Sequence, residues 1–243
     1  METETLYLRK EKPATFTVRD LGLITFQDAL EIQQALFDQL LHKFCDVDCN
    51  PEKVPNENVL LLCEHYPVYT LGNSGFETNL LPAAQQSDAE IVRTNRGGDV
   101  TFHGPGQLVG YPILNLKQFH LGIQSYVHAI EEAVIRTLAD FGIPSSRLRG
   151  ATGVWLDADS PEKVRKICAI GIKSSRWITM HGFALNINTD LSYFENIIPC
   201  GIEDKGITSM KKELGSTISI EEVKEKISGH LHVALRNNKK QAF

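Results

Sequence analysis

Residues 96–107 contain four glycines and one proline within twelve positions, a density that no regular helix tolerates. Glycines also permit positive φ angles and let another group approach the backbone closely. The apolar run Tyr111–Leu116 follows and has the composition of a buried strand. The sequence therefore predicts an irregular, glycine-rich loop with accessible N–H groups that leads into a strand.

Helical and strand-like patterns alternate on both sides of this loop. Apolar residues recur every three or four positions over 26–44 and over 123–141, which predicts two amphipathic helices. A third helix is predicted over 219–236, where Ser219 and Glu222 form a capping-box pattern. Apolar runs predict strands at 59–63, 68–71, 154–156, 167–172 and 178–187. Because no repeat or linker divides the chain, one mixed α/β domain is expected.

The charge and hydropathy of the chain argue against several classes of protein. Lys and Arg number 25 and Asp and Glu number 30, which gives a net charge of −5. Proteins that coat nucleic acid are usually basic, so no nucleic-acid partner is expected. The longest apolar runs, such as Val59–Cys63, are shorter than the roughly 20 residues that cross a bilayer. The acidic start at Glu2 and Glu4 is unlike a secretory signal, and no membrane partner is expected.

The cysteines indicate a reduced, cytoplasmic setting. Their number is odd and no two of them have C-x-x-C spacing, so neither a disulfide framework nor a zinc site is expected. The five are Cys45, Cys49, Cys63, Cys168 and Cys200. Cys63 lies in an apolar run and is interpreted as a small buried hydrophobe. No metal and no cofactor are predicted.

Polar side chains of the glycine-rich segment could bind a ligand. Arg96, Thr101, His103 and Gln107 could supply contacts beside exposed N–H groups. The same pattern is compatible with a structural turn around a buried, hydrogen-bonded histidine. The segment matches neither the phosphate loop that ends in Gly-Lys-Ser/Thr nor the G-x-G-x-x-G dinucleotide fingerprint. Its spacing alone leaves both interpretations open.

Cys200 lies between a proline and a glycine, on a constrained turn that could present its sulfur. A thiol attacks well only as the thiolate, and because a free thiol has a pKa of about 8.5, a nearby cation would raise the reactive fraction. Lys166 opens an apolar strand and could either point into a cleft or be a solvated strand end. Cys168 lies inside that strand, which suits a packed, inert thiol. Read alone, Cys200 is compatible with a structural role as well.

A further strand-like segment, His181–Asn188, combines a histidine with small residues. A ligand could lie against Gly182 and Ala184 because their side chains are small. His181 could contact that ligand, or it could be a hydrogen-bonded core histidine.

Together these segments resemble the lipoyl(octanoyl) transferase family, the octanoyl-[acyl-carrier-protein]:protein N-octanoyltransferases. The family's motifs occur here in its order, at Glu64–Gly72, Arg96–Pro112, Lys166–Gly171, His181–Asn188 and Pro199–Gly201. The match covers residues 59–210 within a single catalytic domain expected over residues 1–243. The resemblance implies an α/β (α+β) fold, with a mixed β-sheet flanked by helices and a core like those of biotin protein ligases and lipoate ligases, which is class II synthetase-like.

The resemblance also implies roles for individual residues. Cys200 matches the family's acyl-thioester nucleophile, and Lys166 matches the lysine that moves the proton and favours the thiolate. The residues that match the acyl-binding stretches are Arg96, Gly97, Gly98, Asp99, Val100, Thr101, Phe102, His103, Ala169, Ile170, Gly171, Gly182, Phe183 and Ala184. Phe102 stands where the family commonly has a tyrosine. Small residues such as Gly171 and Gly182 are expected to leave room for a straight eight-carbon chain.

The implied activity is transfer of an octanoyl group from octanoyl-acyl carrier protein to a lysine, the first step of endogenous protein lipoylation. The implied acceptors are the lipoyl domains of 2-oxoacid dehydrogenase E2 subunits and the glycine cleavage H protein. Residues 147–176 hold seven basic and three acidic residues, a net charge of +4, and are predicted to border the docking face for these acidic partners. The alternatives are an ATP-dependent lipoate or biotin-type ligase, a carrier-protein thioesterase and an acyl-binding module.

Overall fold

The computed structural model describes residues 14–45, 57–198 and 205–237. Its strands are β1 Thr17–Ile24, β2 Val59–His65, β3 Val68–Leu71, β4 Glu90–Arg93, β5 Val100–His103, β6 Gln107–Ile113, β7 Ser146–Leu148, β8 Ala151–Leu156, β9 Arg165–Ser175, β10 Ile178–Asn186 and β11 Gly206–Ile207. Its α-helices are α1 Phe26–Cys45, α2 Pro82–Gln86, α3 Ile123–Asp140, α4 Met210–Leu214 and α5 Ile220–Asn237. Within these residues, no helix is long and apolar enough to span a membrane.

Within the described ranges, eight strands form the main sheet, in the order β1-β2-β6-β10-β9-β8-β7, with β11 paired to β9. The β1–β2 and β9–β11 pairs are parallel and the others are antiparallel, so the sheet is mixed. A smaller sheet has the order β4-β3-β5. The predicted mixed sheet with flanking helices is confirmed.

The central strands of the main sheet are buried on both faces, and strand β2 shows why their sequence is continuously apolar. Leu60 and Leu62 pack into the cluster that contains α3 and α5, whereas Leu61 and Cys63 pack into the cluster that contains α1. Successive side chains of a strand point to opposite faces, so a strand between two helical layers needs apolar residues at every position. This arrangement confirms that Cys63 is a buried hydrophobe, with no exposed surface.

The predicted helix boundaries are also confirmed. The hydroxyl of Ser219 accepts a hydrogen bond from the N–H of Glu222 at 3.3 Å, as expected for the residue that caps α5. Thr25 caps α1 in the same way, since its hydroxyl accepts a hydrogen bond from the N–H of Asp28 at 3.1 Å. These caps fix where α1 and α5 begin.

The glycine-rich segment contains a strand that its composition did not predict. Strand β5 lies within it and pairs with β3 in the smaller sheet. Tyr69, Phe102 and Phe194 pack together beneath this sheet. The segment is therefore an irregular loop followed by a short strand, and this arrangement brings the loop residues up against β9.

Candidate active site

A cavity of about 440 Å³ lies between the glycine-rich segment and strands β6, β9 and β10. Its volume is in the range of about 300–1,000 Å³ that is usual for small-molecule sites. The structure brings three of the predicted segments together around it. The predicted residues that line it are Arg96, Gly97, Gly98, Asp99, Val100, Thr101, His103, Lys166, Ala169, Ile170, Gly171, Gly182, Phe183 and Ala184.

Two predicted site residues are not among those described as lining this cavity. The ring of Phe102 stacks on that of Tyr193, with the centroids 4.4 Å apart, and only 1% of the residue is exposed. Its side chain therefore faces the aromatic cluster beneath the smaller sheet. Cys200 lies outside the described residues, so its role stays a prediction.

Arg96 anchors the glycine-rich segment with a buried guanidinium group. Its Nη2 donates to the carbonyl oxygens of Thr70 and Asp99 at 2.6 and 2.7 Å, and its Nε donates to the Thr70 hydroxyl at 3.2 Å. Its Nη1 donates to the carbonyl oxygen of Gly97 at 3.0 Å. These bonds join β3 to both ends of the loop. Arg96 consequently sets the shape of the cavity wall as well as lining it.

Glycines let the loop approach the strands more closely than any side chain would allow. The N–H of Gly97 donates to the carbonyl oxygen of Ile172 in β9 at 2.9 Å. A Cβ added at Gly171 would lie 2.7 Å from the carbonyl oxygen of Gly97, and one added at Gly182 would lie 2.2 Å from that of Gly110. Both distances are too short for real contacts. Gly171 and Gly182 are therefore required by the approach of one backbone to another. Their expected second role, leaving room for a ligand, stays a prediction.

Lys166 lies at the start of β9, half-buried at the cavity wall. Its Nζ lies 4.5 Å from the centroid of the Trp155 ring, a geometry that attracts a cation to the ring face. The indole N–H donates to the carbonyl oxygen of Ala151 at 3.1 Å and fixes the ring. Gly153 has φ of +121°, and a Cβ there would lie 3.6 Å from Cε of Lys166. The lysine thus points into the cleft and is not a solvated strand end.

The histidines of the site are buried and neutral. Burial lowers the pKa of His103 to about 3, with further contributions from His65 and Arg96. Burial also lowers the pKa of His181 to about 3 and that of His65 to about 4. His181 Nε2 contacts the Asn95 side-chain oxygen at 2.8 Å. His103 and His181 are therefore both core histidines and cavity residues, and near neutral pH they act as uncharged hydrogen-bonding groups.

The described thiols do not compete for the role of nucleophile. Cys63 and Cys168 are free and have no exposed surface. Burial raises the pKa of both, which disfavours the thiolate. Cys168 is thus an inert packed thiol, as predicted. In residues 14–45, 57–198 and 205–237, no group of three His, Cys, Asp or Glu side chains could hold a metal ion.

Several cavity residues carry no strong sequence signal. Tyr111 lies in β6 and Asn186 ends β10, whereas Gly150 lies in the β7–β8 turn and Ala151 and Thr152 begin β8. Ile123 also lines the cavity, although 49% of it is exposed. Two sequence features would have indicated Ile123 and residues 150–152. One is an apolar residue at the very start of an amphipathic helix, and the other is the Gly-Ala-Thr-Gly run at the turn and first residues of a strand.

Comparison with known sequences identifies the family. Residues 26–232 match the model of the lipoyl protein ligase A/B catalytic domain. The octanoyltransferase of Cytophaga hutchinsonii is 49% identical over 229 residues, which are 92% of this chain and 94% of that protein. The octanoyltransferase of Bacteroides fragilis is 51% identical over 219 residues, covering 89% of this chain and 96% of that protein. The expected resemblance is confirmed.

Solved structures share the fold at low sequence identity. A lipoate protein ligase of Thermoplasma acidophilum has a TM-score of 0.64 at 14% identity, covering 91% of this chain and 84% of that chain. The biotin protein ligase of Aquifex aeolicus, solved with biotin and ATP, has a TM-score of 0.50 at 15% identity, covering 93% of this chain and 73% of that chain. These likenesses confirm the predicted fold. The chain is an acyltransferase that belongs to the lipoyl protein ligase A/B catalytic domain family.

Proposed function

We propose that this chain transfers an octanoyl group from octanoyl-acyl carrier protein to a specific lysine of lipoyl domains through a thioester on Cys200. The observation that carries the proposal is the cavity lined by Lys166, the glycine-rich loop and β10. Relatives about 50% identical over most of the chain are named octanoyltransferases, which supports the octanoyl group as the substrate.

Residues on both sides of Cys200 along the chain support its proximity to Lys166. Phe194 and Ile207, which precede and follow it, both line the cavity. Ile207 pairs directly with Lys166 in the β9–β11 ladder. Ile198, two residues before Cys200, donates its N–H to the carbonyl oxygen of Asn79 at 2.9 Å. Asn79 in turn donates to the carboxylate of Asp99, another cavity residue, at 2.6 Å.

In the first step, the amine of Lys166 takes the proton of the Cys200 thiol. The thiolate attacks the carbonyl carbon of the donor thioester, and the bond from that carbon to the carrier's sulfur breaks. The carrier's thiolate takes the proton back from the Lys166 ammonium. The octanoyl group is then held on Cys200, which divides the transfer into two smaller barriers.

In the second step, the amine of the acceptor lysine attacks the octanoyl-Cys200 thioester. Its proton passes to Lys166, and the bond between the carbonyl carbon and the Cys200 sulfur breaks, which leaves an amide on the acceptor. A positioned base is useful because the acceptor amine must lose a proton to form the amide. The thiolate and the ammonium that remain are the same pair that attacks the donor in the first step, so the next cycle can begin.

The proposed donor is acyl carrier protein, and the proposed acceptors are the lipoyl domains of 2-oxoacid dehydrogenase E2 subunits and the glycine cleavage H protein. The test is intact mass spectrometry of the full chain mixed with octanoyl-acyl carrier protein. We expect an octanoyl adduct on the unaltered protein, none on Cys200→Ala, and slow formation on Lys166→Ala. Cys168→Ala and Lys163→Ala are the matched controls, and both are expected to form the adduct.

When a lipoyl domain is added to the octanoylated protein, the adduct should disappear from the enzyme, and the mass of the lipoyl domain should rise by that of one octanoyl group. Free octanoate released at the same rate with and without the lipoyl domain would instead indicate a thioesterase. A product formed from free octanoate and ATP would indicate a ligase. Absence of any adduct on the unaltered protein would overturn the thioester mechanism.

A further inference from the structure

A continuous chain of buried hydrogen bonds runs from Arg96 to the backbone of Lys166. The Thr70 hydroxyl lies 3.3 Å from His103 Nε2, and His103 Nδ1 lies 2.7 Å from Gln107 Oε1. Gln107 Nε2 donates to Asn186 Oδ1 at 2.8 Å. The remaining links are Arg96 Nη2 to the Thr70 hydroxyl at 2.9 Å, Asn186 Nδ2 to the Thr208 carbonyl at 3.0 Å, and the Thr208 N–H to the Lys166 carbonyl at 2.9 Å.

The hydrogen bonds of this chain have one consistent direction. Gln107 Nε2 also donates to the carbonyl oxygen of Phe102 at 3.1 Å, so both amide hydrogens of Gln107 are used. Its Oε1 must therefore accept from His103, which places the imidazole proton on Nδ1 and leaves Nε2 to accept from Thr70. Asn186 is fixed in the same way, because the carbonyl oxygen of Thr208 can only accept.

Asn186 is the junction between two parts of the site. It is the last residue of β10, it lines the cavity, and it is 5% exposed. The pairing of β10 with β9 ends at Leu185 and Cys168, and β11 takes over beside Lys166. Strand β11 has two residues, Gly206–Ile207, so its own ladder holds it weakly. The carboxamide of Asn186 adds a hydrogen bond to Thr208, directly after β11. The same carboxamide accepts from Gln107, which is bonded to His103.

We propose that Asn186 is a positioning residue for acyl transfer. Its hydrogen bond holds β11 against the start of β9, and this fixes the backbone at Lys166 relative to β11. Strand β11 follows residues 199–204 along the chain, and those residues include Cys200. The inference rests on the proposed roles of Lys166 and Cys200. Asn186 makes no chemical step itself, and it acts through the position of β11 and of the Lys166 backbone.

Asn186→Asp gives a readout that a merely structural role would not give. The new carboxyl can still accept from Gln107 Nε2, but its second oxygen faces the Thr208 carbonyl, which also only accepts. When this carboxyl is ionised it repels that carbonyl, and when it is protonated it donates to it. Burial favours the protonated form, so the native bond returns as the pH falls.

The matched control is Asn188→Asp. Asn188 Nδ2 donates to the carbonyl oxygen of Ile218 at 2.8 Å, and Asn188 Oδ1 accepts from the N–H of Ile218 at 3.0 Å. The substitution therefore places the same new carboxylate against a backbone carbonyl. Asn188 does not appear among the described residues that line the cavity.

The experiment measures single-turnover formation of the octanoyl adduct on the full chain at about pH 8 and about pH 6. A buried carboxyl with a raised pKa is more fully ionised at the higher of these values and more fully protonated at the lower. We expect Asn186→Asp to slow adduct formation about tenfold at the higher pH, the size of one lost buried hydrogen bond, relative to the unaltered protein. The deficit should narrow at the lower pH. Asn188→Asp should keep the rate of the unaltered protein at both.

Equal rates for Asn186→Asp and the unaltered protein at both pH values would overturn the proposal, as would a deficit that Asn188→Asp shares. If circular dichroism shows that Asn186→Asp does not fold, the rates of adduct formation of Asn186→Ala and Asn188→Ala are compared instead. An unchanged rate in Asn186→Ala would then overturn the proposal. Failure of the proposed function is distinguishable, because it would appear as a missing adduct on the unaltered protein.

Discussion

The ammonium nitrogen of Lys166 lies over the indole ring of Trp155, 4.5 Å from the ring centroid. Trp155 is 2% exposed, and its N–H is bonded to a backbone carbonyl, so the ring is a fixed platform. A lysine side chain has several rotatable bonds and loses orientation easily. We infer that the ring holds the lysine head at the cavity wall, where the proposed proton transfer takes place.

Two replacements of Trp155 should therefore distinguish the effect of its aromatic face on the rate from the effect of its apolar packing. Trp155→Leu removes the aromatic face, and we expect adduct formation on Cys200 to slow by about tenfold, in line with a desolvated cation–π contact of up to about 2 kcal/mol. Trp155→Phe keeps a ring face and loses the N–H, and it should retain most of the rate. The measurement is single-turnover acylation at a temperature where both variants are folded. Equal rates for the two variants would contradict the role of the ring.

Gly182 should tolerate no side chain, because β6 and β10 meet at this point. A Cβ at this position would lie 2.2 Å from the Gly110 carbonyl oxygen and 2.6 Å from Cδ of Pro112. We expect Gly182→Ala to lower the free energy of unfolding by about 3 kcal/mol, the upper part of the range for overpacked cores. Urea denaturation measures this change.

Gly229 is the matched control for Gly182. It lies in α5, is exposed, and has no atom within 4 Å of an added Cβ. Gly229→Ala should stabilise the protein by about 1 kcal/mol, the difference in helix propensity. If Gly182→Ala were as harmless as Gly229→Ala, the close strand approach would not be the reason for the glycine.

The sequence predicted most of the elements that are buried on one stripe or on both faces. Val59–Cys63 was recognised as a strand because burial on both faces makes it continuously apolar. Strand β1, Thr17–Ile24, was missed because it is mostly exposed and its composition follows no period-2 pattern. Strand β5 was missed because glycines surround it. Had it been recognised, the alternation of strand side chains would have placed Phe102 opposite Thr101 and His103.

The site was predictable in outline and not in its connections. The likeness to a family indicated which segments meet, and burial then explains why His103 is neutral. The bonds of Thr70 to Arg96 and of Asn186 to Thr208 join residues that are 26 and 22 positions apart. No local pattern encodes such pairs, because they follow from the packing of separate strands.

The docking face stays a prediction, but two of its basic residues are ion-paired within the chain. Arg165 donates to Glu213 through Nε and Nη2 at 2.7 and 2.6 Å and also pairs with Asp157. Arg147 donates to the carboxylates of Glu131 and Glu132, each at 2.9 Å. Both guanidinium groups are therefore partly neutralised by carboxylates of the same chain. Arg149 is exposed beside the cavity residue Gly150, so it remains a candidate for the docking face.

Charge reversal should therefore have different effects at these positions. Arg165→Glu places a third carboxylate beside Asp157 and Glu213, and we expect it to lower the free energy of unfolding by about 2 kcal/mol, allowing for partial exposure. Arg149→Glu should leave stability unchanged and slow transfer at low salt by about fivefold, with the effect vanishing at high salt. Arg236→Glu, at the exposed end of α5, is the control for net charge. A rate for Arg149→Glu equal to that of Arg236→Glu at every salt concentration would rule out docking there.

Three buried histidines predict how stability depends on pH. The pKa of His65 is lowered to about 4, and those of His103 and His181 to about 3, chiefly by burial. In the unfolded chain, their pKa returns to about 6.5. Above that value they are neutral in both states and add no pH dependence. As the pH falls below it, the unfolded chain binds protons that the folded protein does not, so stability is lost down to the pKa values of the folded state.

Each such histidine contributes up to about 1.4 kcal/mol per pH unit between about pH 6 and about pH 4. Urea unfolding at about pH 7.5, 6 and 5 should therefore show a slope that steepens in acid. His65→Gln can still donate to the Ile24 carbonyl and accept from the Tyr111 hydroxyl, so it should fold. It should also reduce the slope of stability against pH by the contribution of about one proton. His42→Gln, on the exposed face of α1, should leave the slope unchanged. If His65→Gln kept the full slope, His65 would not be the buried neutral group that its surroundings require.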